Sequence, residues 1–261
     1  MTDLQIAFLL TTFAGLSAGI GGLVVFFIRK PKLSYLSPLL GFAAGVMIYI
    51  SMVELLLESM ETVGFFLANL AFFIGILFMF FLDKLIPHMH IDTEPEPFHK
   101  EKIDTSFDSE TESKLKKAGV LTAVGIALHN FPEGMAVFTV SLIDVSLGIP
   151  IAIAIAVHNI PEGIAVAVPI FYSTKSRAKG FGYSLLSGLA EPAGALIGFL
   201  ILYPFLTEAI LNATLAFVGG IMVFISFDEL LPISRDYGDE HTSNIGLFLG
   251  MLVMMVTLIF V

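Results

Sequence analysis

Residues 129–137 read HNFPEGMAV and residues 158–166 read HNIPEGIAV, with seven of the nine positions identical. Each copy lies near the middle of an apolar stretch that is long enough to cross a membrane as one helix. The two stretches are neighbours in the chain, so as membrane helices they run in opposite directions and hold the motif at the same depth. This arrangement indicates a pseudo-two-fold axis in the membrane plane.

The composition of the whole chain is that of a membrane protein. Apolar residues make up 56% of the 261 residues and charged residues 14%, whereas soluble domains have about 25% charged residues. At about 1.5 Å per residue, eight apolar stretches are long enough to cross about 30 Å of hydrocarbon. These predicted helices, α1 to α8, cover residues 4–28, 37–57, 63–82, 118–140, 147–172, 180–203, 213–231 and 244–261.

The basic residues all lie on one side of this eight-helix arrangement, whereas the opposite loops hold acidic residues and no basic ones. The positive-inside rule places the basic side in the cytoplasm and both termini outside it. Residues 1–261 are expected to form a single domain in the cell or inner membrane. Residues 87–117 are expected to be a mobile cytoplasmic loop, whose His88, His90 and His99 either bind metal transiently or are ordinary solvated side chains.

A second pair of similar stretches extends the repeat. Residues 42–56 in α2 read FAAGVMIYISMVELL, and residues 217–231 in α7 read FVGGIMVFISFDELL. Because α2 and α7 run in opposite directions, α1 to α3 and α6 to α8 are predicted to be inverted copies of each other. The sequence therefore predicts an all-α integral membrane protein, with this inverted repeat around a central antiparallel α4/α5 pair.

The repeated motif places metal-binding side chains on one face of each central helix. In each copy the histidine and glutamate are four positions apart and the asparagine and glutamate three, and residues at these spacings are neighbours on a helix. Cysteine is absent, so a metal must take nitrogen and oxygen ligands, which suit Zn²⁺, Fe²⁺, Mn²⁺, Co²⁺ or Ni²⁺. The candidate ligands are His129, Asn130 and Glu133 on α4 and His158, Asn159 and Glu162 on α5.

Carboxylates in the middle of a membrane need a counter-charge. An ionisable side chain at the bilayer centre costs about 2.5–3.5 kcal/mol on insertion scales, and every lysine and arginine lies outside the predicted helices. A bound cation, a proton or the neighbouring histidines must therefore neutralise Glu133 and Glu162. Glu191 in α6, followed by Pro192, is a further candidate metal ligand or proton site.

These motifs resemble those of the ZIP family of zinc- and iron-regulated metal transporters, specifically its bacterial ZupT-like branch. The resemblance covers essentially the whole chain, and Gly188-Leu189-Ala190-Glu191-Pro192 in α6 carries it together with the two central motifs. It implies uptake of Zn²⁺, and also of Fe²⁺, Mn²⁺, Co²⁺ and Cd²⁺, into the cytoplasm. It further implies a bilayer protein that works as a homodimer, with no catalytic cofactor and no nucleic-acid partner.

The resemblance also implies a binuclear metal centre formed by α4, α5 and α6. Family members are thought to slide a bundle of α1, α4, α5 and α6 against a bundle of α2, α3, α7 and α8. Carried over by position, the main site would take His129, Glu133, His158 and Glu162, and the second site Asn130, Asn159 and Glu191, with the two glutamates bridging.

Two other functions would use the same residues. An intramembrane metal-dependent hydrolase needs an open coordination position with a water and a nearby general base. The chain has no His-Glu-x-x-His pattern, and every acid near the midplane is a candidate ligand. A metal-selective channel or a proton-coupled exchanger is the other alternative, which flux kinetics would separate from a simple carrier.

Overall fold

The structure is a computed structural model that describes residues 2–27, 33–85, 109–202 and 207–259, and the regular structure in these ranges is helical. Within these described ranges, eight helices are long and apolar enough to cross a membrane, as the sequence predicts. The predicted loop residues 87–108, with His88, His90 and His99, lie outside the described residues. The spans are α1 Asp3–Phe27, α2 Leu36–Val63, α3 Phe65–Leu82, α4 Ala123–Ile143, α5 Val145–Thr174, α6 Arg177–Ile201, α7 Glu208–Asp236 and α8 Glu240–Ile259.

Several helices begin at polar residues that cap their free amide groups. The Asp144 carboxylate accepts hydrogen bonds from the backbone N–H and the hydroxyl of Ser146, at 2.7 and 2.6 Å, and starts α5. The Thr207 hydroxyl accepts a hydrogen bond from the backbone N–H of Ile210 at 3.2 Å and starts α7. Because hydrophobicity does not detect such caps, α5 and α7 begin a few residues earlier than predicted.

The helix that contains α4 begins well before the bilayer. It runs continuously over Ser109–Ile143, whereas the apolar pattern predicts a start at residue 118. Residues 109–117 are therefore helical and do not belong to the predicted loop. The sequence explains this difference, since residues 110 and 112 are glutamates and residues 114 and 116 are lysines. Such pairs four positions apart stabilise a helix in water.

α2 and α7 each contain a π-helical turn, at Ser51–Leu55 and Ser226–Leu230. The two turns fall at matching positions of the two similar stretches, each beginning at the serine and ending after the glutamate. A π turn adds one residue to a helical turn and is frequent at functional sites. The turn in α7 also meets α4, because a Cβ on Gly125 would lie 2.8 Å from Oε2 of Glu229.

The eight spans pack as two groups. α1, α4, α5 and α6 contact one another extensively, whereas in the second group α2 packs on α7 and α8, and α7 packs on α3. Contacts between the groups are fewer and involve mainly α4 with α7 and α2 with α5. Within the second group, α2 and α8 are so close that a Cβ on Gly45 would overlap the carbonyl oxygen of Leu247. Small residues allow such backbone contact between membrane helices.

The outer faces of the bundle are apolar. Phe65 and Phe66 on α3 are 73% and 74% exposed, and Phe248 on α8 is 66% exposed. Exposed apolar patches of this kind are unfavourable in water and favourable in contact with lipid chains. The protein is therefore a multi-pass membrane protein.

Candidate metal centre

Three side chains from α4 and α5 meet inside the first helix group. Glu133, His158 and Glu162 are fully buried, and each offers one ligand atom within 4.8 Å of the others. Nε2 of His158 lies 3.1 Å from Oε1 of Glu133. The two copies of the motif thus bring an imidazole and two carboxylates to one point, and Zn²⁺ binds donors of both kinds.

Glycines that follow the two glutamates hold neighbouring helices against this cluster. A Cβ on Gly134 would overlap the backbone carbonyl oxygen of Glu191 in α6. A Cβ on Gly163 would overlap the carbonyl oxygen of Ala18 in α1. The α4/α5 pair is therefore in backbone contact with α6 and α1 directly beside its carboxylates.

The two asparagines are oriented by backbone carbonyl groups of neighbouring helices. Nδ2 of Asn130 donates to the carbonyl oxygen of Ser187 in α6 at 3.1 Å. Nδ2 of Asn159 donates to the carbonyl oxygen of Ala14 in α1 at 3.0 Å and also to Oε1 of Glu191. Within the described part of the chain, neither Asn130 Oδ1 nor Asn159 Oδ1 accepts a hydrogen bond. Both amide oxygens are therefore available as metal ligands.

Glu191 lies just after a break in α6. The helix is interrupted at Leu189, between Arg177–Gly188 and Ala190–Leu202. Pro192 has no amide hydrogen for the carbonyl group of Gly188, four residues earlier. That carbonyl group points at α1, where a Cβ on Gly15 would overlap it. Glu191 is fully buried and lies close enough to Glu133 and Glu162 for electrostatic interaction.

No lysine or arginine side chain among the described residues is buried near these carboxylates. Three carboxyl groups therefore share one buried region without a fixed basic side chain among the described residues. Removing such charges from water costs several kcal/mol per ion, so cations or protons must complement them. The described basic side chains all lie exposed at helix ends, namely Lys84, Lys116, Lys175, Arg177, Lys179 and Arg235.

Six of the seven predicted ligands are buried where α1, α4, α5 and α6 meet. His129 lies on α4 one turn before Glu133, but its side chain lies outside what the structure describes. Sequence patterns do not reveal the carbonyl groups of Ala14 and Ser187 as partners, since any residue type supplies a backbone oxygen. The six buried ones are Asn130, Glu133, His158, Asn159, Glu162 and Glu191.

Known proteins similar to this chain are zinc transporters by name. A sequence model of the family described as "ZIP Zinc transporter" matches residues 87–258. Proteins named "Zinc transporter ZupT" from Streptococcus mutans and Chlorobium phaeovibrioides are 49% and 48% identical to it; the first alignment covers 97% of this chain and 96% of the relative, the second 99% of each. The protein of that name from Clostridium perfringens is 44% identical over 99% of this chain and 97% of its own length. The resemblance of the sequence motifs is thereby confirmed, and the chain belongs to the ZIP family of zinc transporters.

Proposed function

We propose that this protein carries Zn²⁺ into the cytoplasm through a midplane site formed by His129, Glu133, His158 and Glu162. Family membership makes the chain a transporter and not an enzyme, which removes the hydrolase alternative. Relatives that align over nearly the whole chain are named zinc transporters. The observation that carries the site assignment is the buried group of Glu133, His158 and Glu162.

Zinc uptake into liposomes tests the site. The full chain is reconstituted into liposomes that enclose a zinc-sensitive dye, and saturable zinc uptake is expected. Glu133→Gln and Glu162→Gln keep the side-chain volume but remove the charge, so each should lower uptake roughly 100-fold or more. Glu240→Gln, which changes an exposed glutamate at the start of α8, should transport like the unsubstituted protein. Normal uptake by both central variants would refute the site.

A second metal position is proposed beside the first, formed by Asn130, Asn159 and Glu191, with the central glutamates bridging. Its support is three oxygen atoms that accept no hydrogen bond from a described group, namely Asn130 Oδ1, Asn159 Oδ1 and Glu191 Oε2. The hydrogen bond from Asn159 Nδ2 to Glu191 Oε1 holds these two side chains side by side. Elemental analysis of cadmium-loaded protein should give two ions per chain, and one in Glu191→Gln. One ion in the unsubstituted protein would contradict the binuclear centre.

The inverted repeat is proposed to relate α1, α2 and α3 to α6, α7 and α8. The helix packing supports it. Under this repeat the pair α2–α8 corresponds to α7–α3, the pair α1–α5 to α6–α4, and the pair α2–α5 to α7–α4. The two helices of each of these six pairs pack against each other. The matching π turns also support it. An experimental structure should superpose Ser51–Leu55 on Ser226–Leu230 after a rotation about an axis in the membrane plane. Failure of the two helix triplets to superpose would contradict the repeat.

A carrier mechanism is proposed, in which the first helix group moves against the second. The candidate metal centre is built by α4, α5 and α6, all of the first group, so it would move as a unit. Close backbone contacts at glycines join helices within each group, such as α4 with α6 and α2 with α8. The looser contact between the groups favours sliding there over a fixed channel.

Both chain termini are proposed to lie outside the cytoplasm. The described basic side chains support this orientation, since they lie at the helix ends that the positive-inside rule assigns to the cytoplasm. Thiol labelling is direct because the chain has no cysteine. A membrane-impermeant maleimide applied to intact cells should label Thr2→Cys and not Lys175→Cys. Labelling of Lys175→Cys and not of Thr2→Cys would show that the termini lie in the cytoplasm.

The remaining features are proposed from the family resemblance. Fe²⁺, Mn²⁺, Co²⁺ and Cd²⁺ should compete with Zn²⁺ for uptake, and no competition would narrow the substrate to zinc. The protein is expected to be a homodimer in the cell or inner membrane, which light scattering of the detergent-solubilised protein would measure. Residues 1–261 are treated as one transport domain.

A further inference from the structure

A large apolar cavity lies between the two helix groups, separate from the candidate metal ligands. It has a volume of about 500 Å³ and is lined by α3 and α7 on one side and by α4 and α6 on the other. Its lining is almost entirely carbon, as Val124, Met135, Leu186 and Ile221 illustrate. Because an apolar cavity offers water few hydrogen-bond partners, an apolar occupant is favoured.

The cavity lies at the depth of the lipid chains. Its lining residues fall within the membrane spans, apart from Val120 just before α4. Some of them also face outward, since Phe78 is 50% exposed, Val124 47% and Leu186 67%. At this depth the bilayer is the solvent, so a lipid acyl chain is the apolar molecule that reaches the cavity from the side.

Basic residues lie beyond the end of the cavity that is nearer to the basic side of the protein. Lys116 precedes the lining residue Val120 by four positions, and Lys179 precedes Tyr183 by four positions. Residues four positions apart lie on the same face of a helix, so both lysines continue the line of the cavity toward the membrane surface. Both side chains are exposed, as contact with a lipid headgroup requires.

We propose that this cavity binds an anionic phospholipid of the leaflet on the basic side. One acyl chain occupies the space between α3, α4, α6 and α7, and the phosphate group contacts Lys116 and Lys179. The apolar cavity and the two lysines together match the two parts of such a lipid. Basic pockets between membrane helices bind anionic headgroups in the same way.

The position of the cavity connects lipid binding to the metal centre. Phe131 and Pro132 line the cavity and directly precede Glu133. Ser187 also lines it, and its carbonyl group orients Asn130. A lipid that bridges the two helix groups favours the arrangement of the groups that holds the cavity open. Only this effect on transport rests on the proposed function, whereas the binding itself does not.

Tryptophan fluorescence tests the binding, because the natural chain contains no tryptophan. Tyr183→Trp places one in the cavity lining, and Phe248→Trp places one on the lipid-facing side of α8 as a control. Each variant is reconstituted in phosphatidylcholine vesicles that contain either phosphatidylglycerol or phosphatidylcholine with brominated acyl chains, at equal mole fractions. Quenching at Tyr183→Trp should report about fivefold or more preference for phosphatidylglycerol, with no preference at Phe248→Trp.

Charge variants in the Tyr183→Trp background separate a headgroup site from general attraction to the membrane. Lys116→Gln combined with Lys179→Gln should abolish the preference, whereas Arg235→Gln, at an exposed basic residue after the π turn of α7, should keep it. Equal quenching by the two lipids, absence of quenching by either lipid, or a preference that survives loss of both lysines would overturn the proposal. Zinc uptake is measured separately, so failure here leaves the proposed function intact.

Discussion

Gly134 shows how one small residue controls the geometry of the candidate metal centre. It follows Glu133 on α4 and is the point at which α4 meets the backbone of α6. The ideal Cβ position on Gly134 overlaps the carbonyl oxygen of Glu191 and lies 2.6 Å from its Cα atom. Backbone atoms of a packed helix do not yield as a flexible side chain does, so any larger residue must push the two helices apart.

Gly134→Ala is therefore expected to lower stability by about 1–3 kcal/mol, the usual cost of overpacking. It should also reduce zinc uptake, because Glu191 would move away from Glu133. Gly182→Ala on α6 is the matched control, since a Cβ there meets nothing within 4 Å and alanine is the better helix former by about 1 kcal/mol. Thermal unfolding in nanodiscs measures the difference, and equal melting temperatures for the two variants would contradict the packing argument.

The candidate ligands stand out in the sequence because their chemistry is unusual for their surroundings, and their binding of metal stays a prediction. Histidine, asparagine and glutamate are costly inside apolar helices, and here the motif that holds them occurs twice. The partners that orient them could not be predicted. Asn159 donates to the carbonyl group of Ala14, and this contact follows from the packing of α1 on α5, which no local pattern specifies.

At the scale of the helices, the eight spans follow from the length of their apolar stretches, but the irregular turns do not. The π turn at Ser51–Leu55 adds a residue without changing the hydrophobic composition of α2. The same holds for Ser226–Leu230 in α7. Only the comparison of the two repeats, after the structure is known, shows that the Ser-x-x-Glu-Leu pattern marks these turns.

The cap of α5 gives a prediction that depends on pH. Hydrogen bonds from the Ser146 hydroxyl and then from its backbone N–H hold the pKa of Asp144 below its usual range. A carboxyl group with a lowered pKa in the folded state stabilises the fold above its unfolded pKa of about 3.9. That contribution disappears as the pH falls through the folded pKa, so it should be constant between pH 7 and pH 5 and decline below about pH 4.

Asp144→Ala should accordingly melt at a lower temperature than the unsubstituted protein at pH 7 and pH 5. The difference should narrow only below about pH 4, where the native carboxylate becomes protonated. Asp144→Asn is the control, because asparagine also caps helices and carries no titrating charge at this position. Thermal unfolding of the full chain in nanodiscs measures these differences. A gap that already narrows between pH 7 and pH 5 would show that Asp144 does not act through this cap.

In the whole molecule, α4 lies at the boundary between the two helix groups. The proposed zinc transport and the proposed lipid binding both depend on this boundary. One part of this helix contributes Glu133 to the candidate metal centre and carries the buried Asn130, while Phe131 and Pro132 between them line the cavity. α4 is also one of the few helices of the first group in contact with the second group, through α7. A movement of the two groups would therefore change the metal centre's access and the shape of the cavity together.

Gly125 on α4 and Glu229 on α7 provide a direct test of that movement, because they touch across the boundary between the groups. The chain has no cysteine, so Gly125→Cys with Glu229→Cys needs no other substitution. A short thiol cross-linker that a reductant reverses should stop zinc uptake by this variant, and reduction should restore it. Comparing the same protein before and after cross-linking removes any effect of losing the Glu229 carboxylate.

The control is a pair within the first group, Phe26→Cys with Phe181→Cys, whose native rings lie 6.2 Å apart on α1 and α6. Cross-linking this pair joins two helices that are proposed to move together, so uptake should continue at its rate before cross-linking. If the cross-linked Gly125 and Glu229 variant also transports at its former rate, zinc passes without displacement of the groups. A channel would then replace the carrier, although the buried ligands would keep their role.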